Sequence, residues 1–324
     1  MRSISTALVA MSLSALVALQ AAAQPVYRIK ALPNSEAIRP KSAAAINNEG
    51  TVVGFGTAPP YKATRCYRYD GTAPLMLDDN YQCSAVDINA SGDVLAQDAL
   101  GLNGSVIWHP DGSQDRIDGL EAHAMNDAGE VAGLRYWKGE YQPVLYREGR
   151  MIKLGSLGGQ YGVAYGINNK TEITGFSHQA DGSWRAFLWR KGVMKDLGTL
   201  GGSASVGMAI NNHGLVVGAA KDAQEQYQGF SYDGTSMQLL PTRAGLSISP
   251  TAVNDDGVIV GRTAQGAAVV RDGQLFQLKA VSDGSASEWD SLIDAQGIND
   301  KGVIVGYGYL RGHRRAFIAK PIGR

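Results

Sequence analysis

The sequence predicts an all-β fold: one seven-bladed β-propeller of four-stranded antiparallel blades, with the N-terminal strand closing the last blade. Three observations predict it. First, a twelve-residue motif, small–x–small–Ile–Asn–x–x–Gly–x–Val–Val–Gly, recurs seven times. Its Asn falls at 47, 89, 126, 168, 211, 254 and 299, so the copies stand 37 to 45 residues apart. A period of about 40–45 residues with short strands is that of a propeller blade. Second, the seventh repeat ends at Pro321-Ile322 one strand short, while an orphan segment, VYRIKAL (26–32), precedes the first repeat. Third, Gly is 41 of 324 residues and Pro only 11, which asks for many turns rather than a disordered chain. The short spacing of 37 residues at repeat two leaves a six- or eight-bladed ring as the alternative.

Each repeat divides into four strands. The first runs into Ile-Asn, as in AAAINNEGTVVG (43–54) and GMAINNHGLVVG (207–218). Asn-x-x-Gly turns the chain, because Asn bonds its own backbone and Gly accepts a positive φ. Val-Val-Gly is the second strand. A longer, variable loop leads to the third, as in RAFLWRKG (185–192) and RAFIAK (315–320), and a tight turn leads to the fourth. No helix-period stretch intervenes. One and three residues before Ile-Asn the positions are small, and a strand period of two puts both on one face. The opposite face carries Ile46, Ile88, Met125, Ile167, Ile210, Val253 and Ile298, expected to fill the gap to the next blade.

Residues 1–23 read as a secretory signal peptide: Arg2, an apolar run from Ala7 to Leu19, then an A-x-A site at Ala21-Ala23. The apolar run is short of the roughly 20 residues a spanning helix needs. Residues 24–324 are then a single propeller domain, secreted to the periplasm or beyond. Export lets Cys66 and Cys83 form a disulfide; two unpaired thiols are the other reading. Thirty basic and thirty acidic side chains cancel, which argues against a nucleic-acid partner. No cofactor motif is present, and a monomer is expected.

The stretch RAFLWRKGVMKDLGTLGGSASVGMAINNHGLVVG (185–218) strongly resembles the extracellular repeat known as the HAF family, and KLGSLGGQYGVAYGINNK (153–170) is similar. The resemblance is close in repeats three to five and looser elsewhere. It implies secretion and a repeat fold, and carries no catalytic residue. Arg185 and Arg315 stand where the family prefers His.

Candidate sites lie on the rim formed by the variable loops, since binding residues concentrate on such loops over a rigid scaffold. That rim holds Tyr61, Tyr136, Trp137, Tyr141, Tyr161, Trp184, Tyr227, Trp289, Tyr307 and Tyr309. The ligand-binding candidates are Tyr136, Trp137, Tyr161, Trp184 and Tyr309, with Arg311 and Arg314 from the one basic run. Trp137 and Trp184 are expected to share one patch. Asp87, Asn89, Ser91 and Asp93 have the alternating oxygens of a calcium loop, although Asn-x-x-Gly accounts for most of the match. These features read as a non-enzymatic binding module for a glycan or a cell-surface protein. The alternative is a polysaccharide hydrolase or lyase at the central channel, with Asp87, His123 and Tyr165 as first suspects. A structural envelope protein is the third reading.

Overall fold

The computed structural model describes residues 24–59, 63–78, 82–98, 104–137 and 139–323. The signal segment 1–23 and Tyr61 lie outside the described residues. Among the described residues every helix or strand assigned is a strand, and four-strand antiparallel units repeat along the chain. The fold is an all-β propeller.

Five four-stranded sheets stand alone, not the seven expected. They comprise residues 39–76, 83–118, 201–239 and 249–277, and a sheet of Trp289–Ile298, Ile304–Leu310, His313–Ile322 and Val26–Ala31. Repeats three and four instead merge, over residues 121–196, into one eight-stranded sheet. The merger rests on one parallel pair, Tyr141 with Tyr161. Its cause lies in the Leu-Gly-Gly segment of repeat four. Gly158 pairs with Gln179 and Gly162 with Ser177, so the first strand carries two extra residues there. The bulge throws Tyr161 against the preceding unit. Repeat five has the same bulge between Gly201 and Ser205, but carries Ala204 at the matching place, and its sheet stays separate.

The orphan N-terminal strand supplies the missing fourth strand. Val26–Ala31 runs antiparallel to His313–Ile322, from Val26 opposite Ile322 to Ala31 opposite Phe317. Pairing the chain's two ends in one sheet covers an edge that would otherwise stay open.

Asn-x-x-Gly does more than turn the chain. The Asn47 Oδ1 accepts the Thr51 N–H at 2.9 Å, closing its own turn. Its Nδ2 then donates to the Asn89 carbonyl of the next repeat at 3.2 Å. The same donation runs from Asn126 to Asn168, Asn168 to Asn211, Asn211 to Asn254, Asn254 to Asn299, and Asn299 back to Asn47. Among the described residues the link from Asn89 to Asn126 is not made. These amides are 3–6% exposed, so each bond offsets the cost of burying a polar group. The following residues form a second circuit around the channel mouth. Their backbone N–H groups donate to Asp127, Asn169, Asn212, Asp255, Asp300 and Asn48 in turn. The side chains also pair, Asp300 with Asn48, Asp127 with Asn169, Asp255 with Asn212. Seven positions cannot all pair, and the odd one is Ala90.

The simple alternation expected along the innermost strands fails at one common place in every repeat. A bulge separates Ala43 from Ala45, Ala85 from Asp87, Ala122 from Ala124, and so on through Ala295 and Gly297. The two small positions therefore do not share a face: Ala43 is fully buried, while Ala45 lines the channel. The Ile46 series packs between units as expected, Ile46 with Val305 and Ala316 and Ile167 with Ala132 and Leu145, and it also lines the channel. In six of the seven repeats the residue beside the bulge is the last Gly of Val-Val-Gly, and repeat two has Ala96 there. A Cβ on Gly175 would stand 1.9 Å from the Val163 carbonyl oxygen, and one on Gly54 2.1 Å from that of Ser42. Opposite that Gly sits a ring of the third strand, Tyr67, Phe187, Phe230 or Phe317, each wholly buried.

Candidate functional site

The seven bulged residues are Ala44, Val86, His123, Tyr165, Met208, Thr251 and Gln296, and all line the channel mouth opposite the Asn circuit. The cavity there holds about 200 Å³. Asp87, His123 and Tyr165, from repeats two, three and four, do come together at this mouth. The Asp87 carboxylate accepts the N–H of Ile88 and that of Met125, both at 2.8 Å, so it clips repeat two to repeat three. Burial pushes its pKa up to about 6, against the pull of those two N–H groups. Burial also lowers the His123 pKa to about 4. The imidazole is thus neutral at neutral pH, and Glu121 at 3.8 Å is no ion-pair partner for it there.

From His123 a chain of rings leads outward. His123 and Tyr165 are 5.0 Å apart, Tyr165 and Phe176 6.0 Å. Phe176 stacks on Trp184 at 5.5 Å, and His178 stacks on Trp184 at 5.7 Å. Tyr161 contacts Phe176, His178 and Tyr141, and Tyr141 contacts Tyr136. The strip ends at the rim, where Tyr136, Tyr141 and Trp184 are 59%, 45% and 42% exposed. Strand registers build it: Tyr136 faces Tyr141, His178 faces Trp184, and the parallel pair of Tyr141 and Tyr161 joins the two units.

Trp137 does not join Trp184. It neighbours Tyr136 in Val131–Trp137, and successive strand residues point to opposite faces. Its ring lies 4.7 Å from the Arg135 guanidinium and 5.6 Å from the Lys153 ammonium. Trp289 and Tyr307 are not open rim residues either. Trp289 is 3% exposed within Trp289–Ile298, and Tyr307 lies 3.9 Å under the Arg314 guanidinium, which also covers Phe55 at 5.2 Å. Tyr309 is exposed, and Arg311 reaches Glu288 at 2.9 Å in open solvent. The suggested calcium ligands are engaged separately. Asp87 caps backbone at the channel, Asn89 closes its turn onto Asp93, and Asp93 holds His109 Nδ1 at 2.8 Å, while Ser91 is exposed in the turn. Cys66 and Cys83 are joined by a disulfide, their Cα atoms 5.4 Å apart, which ties repeat one to repeat two.

No family model matches the chain, and no curated protein matches it. Solved structures do. The β-propeller domain of the Trilobed protease from Pyrococcus furiosus superposes with a TM-score of 0.60 at 10% identity, over 89% of this chain and 98% of that one. Acylaminoacyl peptidase from Pyrococcus horikoshii gives 0.59 at 9%, over 89% of this chain and 52% of the peptidase. Putative TolB from Agrobacterium tumefaciens gives 0.51 at 12%, over 89% and 100%. This chain spans 64% of the length of TolB from Acinetobacter baumannii. The likeness is one of fold. The archaeal protease domain is described as having an open velcro topology, whereas here the N-terminal strand is hydrogen-bonded to the C-terminal one.

Phe176 and His178 were not singled out by sequence reasoning as site residues. The signal was present as two alternating runs, Tyr161-x-x-x-Tyr165 and Phe176-x-His178, on strands that pair with each other. What hid it was the bulge at Gly158–Gly162, which displaces Tyr161 from the register its own repeat implies.

Proposed function

We propose that this chain is an exported, non-enzymatic binding propeller that takes a carbohydrate chain along the strip from Tyr136 to Trp184. The observation that carries the reading is a continuous row of rings with its exposed end on the rim and its buried end at the channel. Such rings offer flat apolar area with polar edges, at little entropic cost. Glycoside hydrolysis ordinarily uses two carboxyl groups, about 5–10 Å apart. Among the described residues lining the mouth that holds His123 and Tyr165, Asp87 is the one carboxylate, and both its oxygens are occupied by backbone N–H groups. The same reading takes the eight-stranded sheet as two fused blades, so that seven units close the ring, and the Asn circuit supports that count. Export rests on residues 1–23, and the resemblance to HAF repeats points the same way.

A glycan array run beside a turnover screen on the same polysaccharides tests this. Binding that falls at least tenfold in Tyr136→Ala and Trp184→Ala, with no product formed, is the expected result. Product formation that Asp87→Asn abolishes overturns it in favour of the hydrolase or lyase. Binding of a cell-surface protein at the strip, with no glycan bound, overturns the carbohydrate assignment alone.

A further inference from the structure

The hairpin of repeat three shows a different chemistry on its other face. Arg135, Trp137, Gln142, Val144, Met151 and Lys153 enclose a pocket of about 150 Å³. Its base is the Trp137 ring, 40% exposed. Two cations converge on that ring, Arg135 at 4.7 Å and Lys153 at 5.6 Å. Neither has a carboxylate partner among the described residues. The neighbouring acid, Glu140, is engaged through Oε2 by the Gln142 amide nitrogen. The Gln142 Oε1 is shielded from solvent and accepts no hydrogen bond among the described residues. A ligand that brings an anion to this ring would gain the attraction of both cations, which no carboxylate among the described residues satisfies.

We propose that this pocket is a second subsite, for a sugar ring bearing an acidic group. The ring would stack on Trp137, and its carboxylate or sulfate would lie between Arg135 and Lys153. The inference rests on the carbohydrate reading and names the class of glycan: a uronate-containing or sulfated chain. Tyr136 and Trp137 are adjacent on one strand, so a chain crossing the edge of the hairpin would meet the strip on one side and the acidic subsite on the other.

Calorimetry with three probes tests it: a galacturonic acid hexamer, a sulfated galactan oligomer of the same length, and the neutral galactose hexamer. The expected result is at least tenfold tighter binding of one acidic probe than of the neutral one, with an affinity that falls as salt is raised. Arg135→Gln combined with Lys153→Gln should abolish that preference and the salt dependence while leaving neutral binding intact. Which acidic probe wins distinguishes carboxylate from sulfate. Neutral and acidic probes that bind alike, with the double variant unchanged, overturn the subsite and leave the strip standing. A neutral probe lost in Trp184→Ala identifies the strip, and failure of all three probes sinks the carbohydrate reading itself.

Discussion

Tyr141 and Tyr161 face each other across the one parallel strand pair in the protein's described residues, with ring centroids 5.4 Å apart in an edge-on arrangement. One residue pair thus fuses the sheets of repeats three and four and sets the middle of the aromatic strip. Structure and site depend here on the same bulge.

The tryptophans of repeat four separate scaffold from surface. Trp189 is 8% exposed and packs with Ile167, Ile173 and Phe187 of its own unit and Ala132 and Leu145 of the preceding one. Trp189→Ala should cost about 3–5 kcal/mol in denaturant unfolding. Trp184 is 42% exposed and stacks on two rings, so Trp184→Ala should cost about 1 kcal/mol and act mainly on ligand affinity. Loss of stability at Trp184 with only loss of affinity at Trp189 contradicts the assignment.

The glycine after Val-Val is steric, not conformational. Gly175→Ala places a methyl 1.9 Å from the Val163 carbonyl oxygen and should destabilise by about 3 kcal/mol or leave the protein insoluble. Repeat two carries Ala96 at this place, opposite Val106 rather than an aromatic ring. Ala96→Gly should therefore cost only about 0.5–1 kcal/mol. Equal effects at the two positions would show that the carbonyl contact is not what selects glycine.

Asp294 is 7% exposed, its Oδ1 has no hydrogen-bond partner among the described residues, and burial pushes its pKa up to about 6 against the pull of Arg262. A folded pKa above the unfolded one means that the native state holds the proton longer. Stability should fall as pH rises from about 4 to 6 and then level off. Asp294→Asn removes the buried charge. It should raise unfolding free energy at pH 7.5 by about 1–3 kcal/mol, with no gain at pH 4. A variant less stable at pH 7.5 would mean that the carboxylate is compensated by a partner.

Ala90 leaves the Asn48 N–H without the acceptor that its six counterparts have among the described residues. Ala90→Asn supplies that oxygen on an exposed turn. It should stabilise by about 1 kcal/mol, seen as a rise of about 2 °C in melting temperature. An unchanged or lower melting temperature would show that the circuit contributes nothing at this mouth.

The repeat period, the Asn-x-x-Gly turns and the ringed third strand were legible in the sequence because each is a local choice made several times over, and the orphan N-terminal strand was legible because the last repeat is one strand short. Repetition turns a weak preference into a strong one: a single Asn-x-x-Gly says little, and six of them, with Asn168-Asn-Lys-Thr171 in the remaining repeat of the same pattern, leave few folds. Tertiary structure alone decided what depends on how one repeat meets the next. The seven inner bulges invert which small residues face the channel, as Ala43 and Ala45 show. The two-residue bulge after Gly158 moves Tyr161 onto the neighbouring unit and merges two sheets. Trp137 and Tyr136 part company because a strand alternates its faces, so Tyr136 joins the aromatic strip while Trp137 turns to Arg135 and Lys153. A bulge adds a residue without changing any residue type, and so leaves the pattern that sequence reasoning reads intact while shifting every contact beyond it.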